Sequence, residues 1–103
     1  MSDLDFVVEA IKKTLKPEKI ILFGSYARGD NKEGSDFDLA VLQKNKPKLG
    51  QVADVLTNLY MTGYDWKVSP DIHLFSRDNF QERLDNDSLF IKEIAKGKVV
   101  YEN

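Results

Sequence analysis

No cysteine occurs among the 103 residues, and there is a single histidine, His73. Disulfides and Cys/His zinc sites are excluded, so any bound metal is expected on oxygen ligands. Nor does one sign of charge dominate: 15 Lys and Arg stand against 17 Asp and Glu, a formal charge of −2. Bulk nucleic acid, which is held by a field of positive charge, is therefore not the expected partner. No apolar run is long enough to span a bilayer, and the amino terminus, Met1-Ser2-Asp3-Leu4-Asp5, is acidic where a secretory signal would be basic. No membrane association is expected, and a cytoplasmic, soluble protein is the plain reading. Repeats, low-complexity tracts and linkers are also missing, which leaves residues 1–103 as one compact domain.

What is present alternates between helical and strand patterns. Ser2 can cap a first helix, with Leu4, Val7, Val8, Ile11 and Leu15 at helical spacing and Pro17 marking its end. Lys19 to Phe23 is a short β-branched run bounded by Pro17 and Gly24 and reads as a buried strand. Ser25 to Arg28 suits a short helix, and Gly29 to Ser35 a polar loop. Phe37 to Leu42 is the second strand, with Phe37, Leu39 and Val41 on one face and Ala40 and Leu42 continuing the face begun by Asp36 and Asp38, so both faces should be covered. After the basic turn at Lys44, Lys46 and Lys48, Val52, Val55, Leu56 and Leu59 predict a helix ending near Gly63. A third strand is expected from about Trp66 to Phe75, with Pro70 tolerable near an edge or a strand start. Ser76 or Asp78 should cap a helix carrying Phe80 and Leu84, and Asn86 or Asp87 another carrying Leu89, Phe90, Ile91 and Ile94, stopped by Gly97. Val99-Val100-Tyr101 is a final edge strand or an ordered tail. The fold class is α/β or α+β, with a sheet of three or four strands.

The chemistry lies in Phe23-Gly24-Ser25 and, ten residues further on, Asp36-Phe37-Asp38. Residues i and i+2 of a strand point the same way, so Asp36 and Asp38 present two carboxylates side by side. Such carboxylates repel unless a cation lies between them, and magnesium prefers carboxylate oxygens with water and phosphates. Gly24-Ser25, turning from strand into helix, offers backbone N–H groups and a hydroxyl to a phosphate. For Ser25 to face Asp36, the first two strands must run antiparallel. Asp71 begins the run Ile72-His73-Leu74-Phe75 much as Asp36 and Asp38 begin theirs, and a helical crossover between parallel strands would bring these starts together. Three carboxylates can hold two metals about 4 Å apart. Asp65 is the fallback third carboxylate.

The stretch Gly24-Ser25-Tyr26-Ala27-Arg28-Gly29-Asp30, followed by Gly34-Ser35-Asp36-Phe37-Asp38-Leu39, resembles the signature of the DNA polymerase β-like nucleotidyltransferase superfamily. Within it, the resemblance is to the minimal nucleotidyltransferase branch, which includes antitoxin partners of HEPN-domain toxins. The resemblance implies a mixed sheet with flanking helices and magnesium-dependent transfer of a nucleoside monophosphate, AMP from ATP, to a partner's hydroxyl. It assigns triphosphate binding to Gly24 and Ser25, with Arg28 similar to the family's arginine. One or two magnesium ions fall to Asp36, Asp38 and Asp71, and Pro70 before Asp71 departs from an ordinary strand. A helical HEPN-type partner is implied as acceptor, because a chain this short has no room for a separate acceptor-binding domain.

Two other classes compete: a non-catalytic antitoxin or nucleotide-sensing subunit that blocks its partner by contact, and transfer to a small-molecule hydroxyl such as an aminoglycoside. A P-loop is rejected, because Asp30-Asn31 stands where the Lys-Ser/Thr pair is required. Gly24-Ser25-Tyr26 is no nucleophile elbow. Ser35 is expected to shape its loop, and His73, on Asp71's strand face, to be structural. Tyr60, Tyr64 and Trp66 read as core or interface residues, and Arg28 suits a surface ion pair as well as a phosphate.

Overall fold

The computed structural model describes residues 1–103. The first helix, α1 (Asp3–Leu15), begins with a reciprocal cap: Ser2 Oγ accepts from the Asp5 N–H and the Asp5 carboxylate accepts from the Ser2 N–H. It ends at Lys16, whose φ of 50° is left-handed. There follow β1 (Lys19–Phe23), α2 (Ser25–Arg28), β2 (Phe37–Gln43), α3 (Gln51–Met61), β3 (Pro70–Ser76), α4 (Arg77–Asp85), α5 (Leu89–Ala95) and β4 (Lys98–Glu102).

The four strands lie in the order β3-β2-β1-β4, with β1 antiparallel to both β2 and β4 and β2 parallel to β3. This is a mixed α+β sheet, and its alternating side chains feed two cores. On one face Ile20, Leu22, Leu39 and Val41 pack with Val7 and Ile11 of α1 and Val55 and Leu59 of α3. On the other, Ile21, Phe23, Ala40, Leu42 and Phe75 pack with Phe80 of α4 and Ile91 and Ile94 of α5. Each aliphatic side chain buried this completely contributes about 1.5–3 kcal/mol. The central strands β1 and β2 are apolar nearly throughout because both of their faces are covered. Gly97 lets the turn from α5 into β4 lie against β1, since a Cβ there would come within 2.3 Å of the Leu22 carbonyl oxygen.

Two boundaries differ from expectation. The third strand begins at Pro70, not near Trp66; Trp66 has a left-handed φ of 58°, which breaks the extended run. Pro70 is tolerated because it opens an edge strand. The last helix is capped by Ser88, whose Oγ accepts from the Ile91 N–H, while Asn86 closes α4 and Asp87 takes a φ of 62°. No helix is long and apolar enough to cross a membrane.

Candidate active site

Strand direction assembles the site. Antiparallel pairing sets Phe23, the last residue of β1, opposite Asp38 near the start of β2. Parallel pairing, made possible by the α3 crossover, sets Asp38 beside Asp71 and Ala40 beside His73. Since i and i+2 share a face, Asp38, Asp71 and His73 stand on the α4/α5 side of the sheet, at the end where β1 turns into α2. Their ligand atoms all lie within 4.8 Å of one another.

The turn itself abuts the carboxylate. Gly24 has φ 75° and ψ −155°, a backbone conformation essentially confined to glycine. A Cβ at this position would sit 2.1 Å from Asp38 Oδ2. The absence of a side chain is thus required twice, by the backbone and by the approach of Asp38. Ser25 opens α2 immediately beyond, its carbonyl accepting from the Gly29 and Asp30 N–H groups at 2.9 and 3.1 Å. Arg28 donates from Nε to Asp30 at 3.3 Å, and its positive charge is also felt at Asp38.

Crowding marks Asp38 electrostatically. Its pKa is raised above the ordinary 3.8, first by partial burial and then by the charges of Asp71 and Asp36, against the opposing pull of His73 and Arg28. A carboxylate penalised by two like-charged neighbours is relieved by a cation held among them. The donor set fits a hard divalent ion: carboxylate oxygens of Asp38 and Asp71 within reach of one another, with Asp36 close enough to contribute charge.

Of the six residues expected at the site, the structure brings Gly24, Asp38 and Asp71 together, with Ser25 and Arg28 on the adjoining turn and helix. Asp36 lies just before β2, exposed, and outside the tightest cluster. Asp65 is not in that cluster; its carboxylate accepts from the Lys67 N–H. Ser35 Oγ accepts from the Lys32 N–H and shapes the loop as expected. His73, expected to be structural and on Asp71's strand face, lies in this cluster, its Nε2 3.2 Å from Asp71 Oδ2.

The family pattern described as "Polymerase beta, Nucleotidyltransferase" matches residues 6–103, and the chain belongs to this family. Among curated relatives, "Putative protein adenylyltransferase MJ0141" of Methanocaldococcus jannaschii is 42% identical over 60 residues, covering 56% of this chain and 61% of the relative. MJ1215 of the same organism, bearing the same description, is 40% identical over 52 residues, covering 48% of this chain and 60% of the relative. The match thus spans about three-fifths of each of these relatives. Two solved structures share the fold over 100% of this chain and 75% of theirs. One is a mutant of the toxin–antitoxin MntA–HpeT in which two aspartates two positions apart are exchanged for glutamate, with a TM-score of 0.67 and 17% identity. The other is a toxin–antitoxin with AMP-PNP, with a TM-score of 0.66 and 19% identity.

Proposed function

We propose that this chain transfers AMP from magnesium-bound ATP to a hydroxyl of a partner protein, acting as the antitoxin of a HEPN-type toxin. The observation that carries the reading is the meeting of Asp38 and Asp71 in register, with the Gly24 backbone pressed against Asp38. The names of the relatives point to protein adenylylation, and the fold likeness to toxin–antitoxin proteins points to the kind of partner.

In this reading the turn at Gly24 and Ser25 binds the triphosphate through backbone N–H groups and the Ser25 hydroxyl. Arg28, one helical turn on, adds positive charge toward the phosphates. Asp36, Asp38 and Asp71 would hold one or two magnesium ions, which when bound would neutralise charge at the phosphates and lower the pKa of the acceptor hydroxyl. Asp71 accepts the proton as the acceptor oxygen bonds to the α-phosphorus. The bond from the α-phosphorus to the bridging oxygen breaks, and pyrophosphate leaves.

The test mixes the purified chain, a HEPN-type partner, magnesium and α-phosphate-labelled ATP. Label should appear on the partner and should not appear with the Asp36→Asn, Asp38→Asn double variant. Absence of label while the partner is bound and magnesium is present overturns transfer. Neutralisation of the partner by the double variant as well as by the wild type would instead establish simple occlusion.

A further inference from the structure

His73 stands between the site and the second core. Its imidazole packs against Phe23 at 5.6 Å between ring centroids and against Phe90 of α5 at 5.9 Å, and the two phenyl rings meet each other edge-on at 6.0 Å. Three rings in mutual contact restrict rotation of the imidazole. The restraint has one polar consequence, because it aims Nε2 at Asp71 Oδ2, 3.2 Å away. Asp71 itself is exposed and stands on an edge strand. Without a partner its carboxylate would rotate among several orientations, of which few complete a cation site with Asp38.

We propose that His73 is a positioning residue: held by Phe23 and Phe90, it donates from Nε2 to one oxygen of Asp71 and thereby presents the other oxygen to the cation shared with Asp38. The inference rests on the metal-dependent reading above and adds to it a support running from α5 into the site. Carboxylates that bind metals are commonly fixed by such outer hydrogen bonds, and losing one typically costs 10–100-fold in metal affinity or activity. The histidine nitrogen stays off the ion, in keeping with the preference of magnesium for oxygen.

The experiment measures manganese binding to the whole chain, manganese standing in for magnesium, by loss of the free-ion paramagnetic resonance signal. His73→Phe keeps a ring between Phe23 and Phe90 but removes the donor; His73→Gln restores a donor. The expected result is affinity at least about tenfold weaker in His73→Phe, most of that loss recovered in His73→Gln, and an unchanged thermal midpoint for both variants without metal. Pulsed resonance of the bound ion should show no directly coordinated nitrogen. Wild-type affinity in His73→Phe, equal weakening in both variants, or a coordinated nitrogen would each overturn the assignment. Failure of the wild type to bind manganese, with or without ATP, would remove the metal-dependent reading itself and this inference with it.

Discussion

Replacing Gly24 by alanine tests the contact on which the site is built. The backbone at φ 75° and ψ −155° belongs to a region that side chains avoid, and forcing alanine into it costs on the order of 1–3 kcal/mol. With an unfolding entropy of roughly 2 cal/mol/K per residue, that corresponds to a melting point lower by about 5–14 °C for a domain of this size. The new methyl would lie 2.1 Å from Asp38 Oδ2, whereas ordinary contact begins at 3.4 Å, so the carboxylate must retreat by about 1.3 Å. A displacement of that order at a reacting centre costs about 100-fold in rate. The assay combines a melting curve, manganese binding and labelled transfer. Gly29→Ala is the control, since Gly29 has a φ of 84° but nothing within 4 Å of the added atom. It should lose about 1–2 kcal/mol of stability, the cost of a side chain in the left-handed region, and keep its activity. A Gly24→Ala protein that is destabilised yet binds metal and transfers AMP like the wild type would refute the reasoning.

Asp38→Asn should abolish transfer while raising the melting point of the metal-free protein at neutral pH, because the ionised carboxylate is penalised by burial and by Asp71 and Asp36. With the folded pKa raised, that penalty is fully present above the folded value and vanishes as pH falls toward 3.8. The variant's advantage should therefore shrink in acid melts; an advantage growing as pH falls would contradict the assigned sign. Asp5 has the opposite sign, its pKa lowered by hydrogen bonds from the Ser2 backbone and side chain, so its contribution should be lost as pH falls through its folded value. Ile91→Ala should cost about 2–5 kcal/mol in denaturant unfolding, since the side chain is fully buried where α5 meets the sheet. Arg77→Ala should change stability by no more than about 1 kcal/mol, because its pair with Glu18 is solvent-exposed.

Much of this was legible in the residues because several signals agreed at once. The first helix announced itself through Ser2, its apolar spacing and Pro17, and the inner strands through apolar runs too short for a helix. The directions of pairing followed from a functional demand, that the turn after the first strand and Asp71 both approach the aspartates of the second; the strands do pair antiparallel and parallel, with Phe23 opposite Asp38 and Asp71 beside it. Local signals failed where neighbours decide the outcome. Trp66 belongs to a strand by propensity, yet its left-handed backbone keeps it out of β3, and the competition among Asn86, Asp87 and Ser88 for one cap has no clear local winner. Leu89 and Phe90 were grouped with Ile91 and Ile94, but helical phase turns Leu89 outward at 83% exposure and sets Phe90 half-exposed beside His73. His73 was placed on Asp71's strand face from spacing alone, but its packing against Phe23 and Phe90 was not legible, because those residues are distant in sequence.

The most direct measurement is a crystal structure of the chain with manganese and a non-hydrolysable ATP analogue, in which anomalous scattering locates the ion. A peak should lie at bonding distance from carboxylate oxygens of both Asp38 and Asp71, with the analogue's phosphates at the Gly24-Ser25 turn. An ion bound away from those two carboxylates, or phosphates bound away from that turn, would contradict the account.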